Sequence, residues 1–108
     1  MKRGEVWTVS GAGYAGKPRP AIIIESDNFP ETGSVTVSLL TGEEADLPLL
    51  RLQLDPDVAN NLARASWVMV DKIATVRRNQ VGRKFGRLRA EDIFRLDHAP
   101  TVFLGRAG

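Results

Sequence analysis

Lys17-Pro18-Arg19-Pro20 runs directly into Ala21-Ile22-Ile23-Ile24, and this junction limits the fold more than any other stretch of the chain. Proline fixes φ and lacks a backbone N–H. The residue before a proline is driven to extended backbone. Lys17 through Pro20 is therefore stiff and extended, and a helix is excluded there. The β-branched run that follows predicts a buried strand over Ala21–Glu25. Its surroundings repeat the theme of short strands with turn-rich joints. Gly4–Val9, Val35–Leu40, Leu49–Leu54, Ser66–Val70 and Ile73–Val76 read as strands, several by strict alternation. Val81–Leu88 reads as a basic, hairpin-like segment. Gly11–Gly16, Asp27–Gly33 and Gly42–Pro48 read as loops, and Val58–Arg64 as one short helical turn. Ala90–Leu104 carries apolar residues at 93, 96, 103 and 104, which is helical spacing. Glu91 and Asp92 sit in its first turn, where the helix dipole favours anions. Pro100 is expected to kink this helix rather than end it. Several short strands and one late helix predict a mainly β domain with some α, a small closed or half-open barrel of SH3-like or OB-like type.

The chain has 108 residues, enough for one self-supporting core and too few for two, so residues 1–108 are expected to form one domain. It has no cysteine, which excludes a disulfide scaffold, thiolate metal sites and a Cys nucleophile. His98 is the sole histidine, so a two-histidine ribonuclease pair and a HExxH protease are excluded as well. No metal or other cofactor is expected. The longest apolar stretches, such as Ala21–Ile24, fall far below the ~18–20 residues of a membrane span. The opening residues show no apolar signal core, so the default expectation is a cytoplasmic protein with no membrane partner.

The net charge of +2 hides an uneven distribution. Lys72, Arg77, Arg78, Arg83, Lys84, Arg87 and Arg89 fall within one stretch that has no acid, whereas Glu25–Asp57 holds eight acids and one Arg. Such a stretch is either a solvated hairpin or a phosphate-facing edge. Within Lys17–Pro20, Arg19 is a long cation held between two rigid residues, a preorganised partner for phosphate; an ordinary surface Arg at the start of a strand has the same sequence. Thr41 ends a strand and has a hydroxyl able to donate to a phosphate oxygen or to satisfy a turn. Asp71, at another strand end, can orient a cation, act as a base or cap a turn. His98, late in the helix, reads as a surface histidine. The Gly11–Gly16 loop lacks the Gly-Lys-Ser/Thr ending of a phosphate loop.

Four segments, in this order, resemble the MazF/PemK family of type II toxin–antitoxin endoribonucleases. They are Lys2-Arg3-Gly4-Glu5-Val6-Trp7, Lys17-Pro18-Arg19-Pro20 with Ala21–Ile24, Val37-Ser38-Leu39-Leu40-Thr41, and Val70-Asp71-Lys72-Ile73-Ala74-Thr75-Val76. Phe85-Gly86-Arg87-Leu88 through Leu96-Asp97 also resembles the family's final hairpin and helix. The resemblance implies an SH3-like barrel with a C-terminal helix, usually a homodimer. It implies metal-independent, sequence-selective cutting of single-stranded RNA by its own 2′-OH, leaving a 2′,3′-cyclic phosphate or 3′-phosphate and a 5′-OH. Carried over by position, the catalytic residues are Arg19 and Thr41. A cognate antitoxin would lay an extended, acidic tail over the RNA groove.

Lys17, Tyr14, Asp71, Arg77, Arg78, Arg83, Lys84 and Arg87 are candidates for RNA contact or for supporting the site, with Phe29 a further stacking candidate. Glu25, Asp27 and Asp71 are the candidate bases. The chain departs from the family at three places, one of them Pro100, which is unusual for the last helix and bears on the dimer surface. Some relatives have an Arg two residues before the aspartate, where this chain has Met69, so Asp71 is expected to stand without that partner. The first loop lacks the histidine that some relatives have there. Two other classes stay open, a non-catalytic nucleic-acid-binding barrel and a gyrase-inhibiting toxin of the same fold. The latter resemble one another in a functional C-terminal Trp motif, whereas this chain ends Phe103-Leu104-Gly105-Arg106-Ala107-Gly108.

Overall fold

The computed structural model describes residues 1–10, 17–25, 33–44 and 50–103, with side chains as far as 98. Six strands follow one another: β1 Glu5–Val9, β2 Arg19–Ile23, β3 Ser34–Thr41, β4 Arg51–Leu54, β5 Ser66–Arg77 and β6 Val81–Arg87. A 3-10 turn, Arg78–Gln80, joins β5 to β6, and α1 spans Ala90–Phe103. The strands form one antiparallel sheet in the order β4-β5-β3-β2-β1-β6.

That order does not lie flat. By the strand registers, Gly33 and Ser10 on a flat sheet would be roughly 30 Å apart. Yet Arg78 donates its N–H to the Gly33 carbonyl at 3.2 Å, and Ser10 donates to the Gln80 carbonyl at 2.9 Å. The turn between them spans only about 6 Å. The sheet must therefore roll, and it forms the expected SH3-like half-barrel with a C-terminal helix.

Alternation along the strands supplies two cores. Val9, Ala21, Ile23, Val35, Val37 and Val76 fill the inside of the roll, with Trp7 and Val81 against them. Val6, Ile22, Leu40, Leu54, Val68 and Leu88 point to the other face, where Leu96 and Ile93 of α1 cover them. Arg95 donates to the Gln53 carbonyl at 2.9 Å, and Arg3 binds both Asp97 and the Ile24 carbonyl, so both ends of the sheet hold the helix. Gly4 has φ +86°, and a Cβ there would meet Ile93 Cδ1 at 2.8 Å. Glycine is what lets the chain turn into β1 beneath α1.

Three local expectations are corrected or refined. Ser66–Val70 and Ile73–Val76 are not separate strands but one, β5, broken in register against β3. The basic segment is a single strand, β6, paired with β1. Val58–Arg64 is not a helix: only its start, residues 58–60, forms a turn, and no helical ladder continues it. The fully buried Asn60 organises it instead. Its Oδ1 accepts from the Asp57 and Leu62 N–H groups, its Nδ2 donates to the Asp55 carbonyl, and its own N–H donates to Asp57 Oδ1. Beyond the single Asn61 N–H to Asp57 carbonyl bond at 3.1 Å, a buried side-chain amide takes the place of the backbone bonds a helix would have made. The helix α1 does continue through Pro100. No helix among the described residues is long and apolar enough to cross a membrane.

Candidate active site

Strand pairing brings Arg19 and Thr41 together. Ala21 is paired with Leu39, Ile22 with Ser38 and Ile23 with Val37. Continuing this register toward the end of both strands sets Arg19 opposite Thr41, on the face that Ala21 and Leu39 share. The two side chains line a cleft of about 300 Å³ with Pro20, Leu39, Leu40, Met69 and Lys72.

Each polar group in the cleft is prepared for an anion. Arg19 is exposed and has no side-chain hydrogen bond or ion pair among the described residues. The Thr41 Oγ1 accepts the Glu43 N–H at 3.1 Å. That contact occupies a lone pair and leaves the hydroxyl proton to be donated. Lys72 is exposed at the rim, also without a partner among the described residues. Among the described residues, the lining holds two cations and a hydroxyl but no carboxylate and no imidazole.

A bulge in β5 shapes this cleft. Ser38 is paired with Ile73 and Leu40 with Val68, so four residues, 69 to 72, oppose Leu39 alone. Bulges re-aim side chains beside functional sites. The Ser38 hydroxyl, buried behind the bulge, donates to the Met69 carbonyl at 2.9 Å and fixes it.

Asp71 does have a cation partner, contrary to expectation. Arg51 takes the place the sequence leaves at Met69: β4 pairs Arg51 opposite Met69, and its guanidinium binds Asp71 while also donating to the Leu50 carbonyl at 3.1 Å. Both side chains are largely covered, at 11% and 22% exposed. Asp71 is thus committed to Arg51 and does not line the cleft. Glu25 lies two residues past the end of β2, at the opposite end of the strand from Arg19. Asp27, Tyr14 and Phe29 lie outside the described residues, and Lys17 is exposed just before β2.

The remaining basic candidates lie elsewhere. Arg77 is paired with Ser34, at the far end of β3 from Thr41, and Arg78 belongs to the turn that closes the roll. Arg83 is exposed on β6, its N–H donating to the Thr8 hydroxyl. Lys84 and Arg87 line a second, separate cleft of about 610 Å³ with Asp57, Val58, Ala59, Gly86 and Arg89. Much of this charge is neutralised locally. Arg89 contacts Asp57 and Glu91, and Lys84 contacts Glu5. His98 is exposed on α1, 3.0 Å from the Phe94 carbonyl and tilted against the Phe94 ring.

Glu5 yields a pH prediction. Burial alone would push its carboxyl up. The Lys2 and Trp7 N–H groups and the Lys84 ammonium outweigh that and hold it at about 2, below the ordinary 4.5. A depressed folded-state pKa contributes stability that is present above about 4.5 and lost as pH falls toward about 2. Denaturant melts of wild type and Glu5→Gln should therefore show a stability gap at pH 5 that narrows steadily as pH falls toward about 2. A gap independent of pH would refute the assignment.

Lys72, Met69 and Leu39 were not among the site residues expected from sequence. Lys72 looked like part of the basic stretch, and the bulge that turns it into the cleft has no local sequence signal.

The chain and its fold also match known proteins. Residues 2–103 match the family of PemK-like, MazF-like toxins of type II toxin–antitoxin systems. The chain is 45% identical, over the full length of both proteins, to a probable endoribonuclease MazF of Mycolicibacterium smegmatis. The fold superposes on the Mycobacterium tuberculosis toxin MazF-mt6 with a TM-score of 0.80 at 24% identity, covering 94% of this chain and 96% of that one. It also superposes on a mycobacterial endoribonuclease solved in complex with its cognate antitoxin, with a TM-score of 0.79 at 21% identity, covering 97% and 95%. Match over nearly the whole chain and close full-length identity together make this chain a member of the PemK-like, MazF-like family of type II toxin–antitoxin toxins.

Proposed function

We propose that the chain is a metal-independent endoribonuclease that cuts single-stranded RNA at the Arg19–Thr41 cleft and so blocks translation and growth. The observation that carries this reading is one cleft lined by a guanidinium without a partner among the described residues and by a hydroxyl whose proton is free to donate. RNA cleavage by its own 2′-OH forms the P–O2′ bond and breaks the P–O5′ bond. The 2′-OH loses its proton and the departing 5′-oxygen takes one up. Charge builds on the non-bridging oxygens between these events, and stabilising it is the main task of the protein. Arg19 grips two of those oxygens with its planar fork, and Thr41 donates to the same group. Cation and hydroxyl supply this without a divalent ion.

A cleft lined by two cations also suits the acidic segment of a cognate antitoxin, which would silence the enzyme by covering the RNA groove. The family resemblance supports a homodimer acting in the cytoplasm, with residues 1–108 as one domain.

Product chemistry tests the proposal. A single-stranded RNA is incubated with the chain in EDTA, and the fragment ends are examined. The expected fragments have 5′-OH ends that a polynucleotide kinase labels without prior dephosphorylation, and 2′,3′-cyclic phosphate or 3′-phosphate ends. Fragments with 5′-phosphates, or cutting that stops in EDTA, would contradict the mechanism.

A further inference from the structure

We propose that Lys72 is a second phosphate-binding cation of the cleft, delivered there by the β5 bulge, and that it acts on the transition state more than on substrate binding. The inference rests on the reading above that a phosphodiester occupies the cleft. Three observations support it. Lys72 lines the cleft with Arg19 and Thr41. The bulge that sets four residues of β5 against Leu39 ends at Lys72, and the buried Ser38 hydroxyl holds its first residue. The carboxylate beside it in sequence, Asp71, is already bound by Arg51, so Lys72 has no ion-pair partner among the described residues.

Charge arithmetic gives the role. A phosphodiester carries one negative charge, which Arg19 alone can match. The pentacoordinate state formed by 2′-oxygen attack carries up to two. A second cation in the cleft meets the charge that appears only during reaction, and an interaction made only then raises kcat rather than lowering KM. An ammonium on a flexible stem acts as a point charge for phosphate and needs no fork geometry.

The test compares wild type, Lys72→Ala and Lys72→Arg in two assays. Lys72 is exposed, so its removal should leave folding intact, which a thermal melt verifies. In RNA cleavage, Lys72→Ala is expected to lower kcat by about 10–100-fold with KM within a few-fold, and Lys72→Arg to recover most of the loss. Unchanged kcat, or a loss confined to KM, would overturn the inference while leaving the nuclease reading intact. Titration with inorganic phosphate, followed by NMR at the Thr41 and Lys72 amides, judges Lys72 independently of cleavage. Lys72→Ala is expected to weaken phosphate binding about tenfold, and equal binding would overturn the inference. Should wild type cut no RNA, the nuclease reading fails and the phosphate titration alone decides for or against Lys72.

Discussion

Replacing Arg19 by alanine is expected to slow RNA cleavage by at least about 10²–10³-fold, the usual cost of removing one donor aimed at developing charge. The melting temperature should not change, because the guanidinium is exposed and makes no hydrogen bond or ion pair with the described residues. Its value lies in preorganisation. Pro18 and Pro20 restrict the backbone on both sides, so little ordering cost falls on the phosphate complex. Arg19→Lys keeps the charge but loses the bidentate fork, and should fall between wild type and Arg19→Ala. Single-turnover rates on one RNA, with melts of the same preparations, check all three. If Arg19→Ala cut RNA at the wild-type rate, the cleft would not be the site of reaction.

Gly86→Ala is expected to be the most damaging small substitution for stability. A Cβ on Gly86 would stand 2.5 Å from the carbonyl oxygens of both Ala59 and Asn60 and 2.7 Å from the Asn60 carbonyl carbon. All three are backbone atoms and cannot rotate away. Nor can the segment withdraw. Asn60 is anchored by its buried amide bonds, and the Ala59 carbonyl accepts the Arg87 N–H at 2.9 Å. Glycine within a strand marks such a close backbone approach. Overpacking at an unyielding site costs about 1–3 kcal/mol or more, so the melting temperature should drop by about 4–13 °C or more for a domain of this size. Differential scanning calorimetry of wild type and Gly86→Ala decides the point. A shift below about 2 °C would mean that the 57–60 segment does not rest on β6 as described.

Most of the strand content was legible because alternation has a period of two and survives in a single sequence. β1, β2, β3 and α1 lie within a few residues of their expected ranges. The failures share a cause. β5 read as two strands because Asp71 and Lys72 interrupt the alternation, and the bulge that accommodates them is set by pairing with β3. Val58–Arg64 read as helical because the local pattern cannot reveal that Asn60 is buried and hydrogen-bonded on three sides. The Arg51–Asp71 pair spans twenty residues of chain, and β4 beside β5 is what makes it. Arg19 and Thr41 were each ambiguous alone. The family resemblance singled them out, and strand register supplies the physical reason they meet.

The central claim is that Arg19 and Thr41 together form a metal-free RNA-cleaving site. The most direct measurement is the cleavage rate of one single-stranded RNA in EDTA by wild type, Arg19→Ala and Thr41→Ala, each shown to be folded by its melt. Wild type is expected to cut, and each variant to lose about 10²-fold or more in rate. Cutting by either variant at the wild-type rate, or no cutting by wild type until a divalent metal is restored, would contradict the claim.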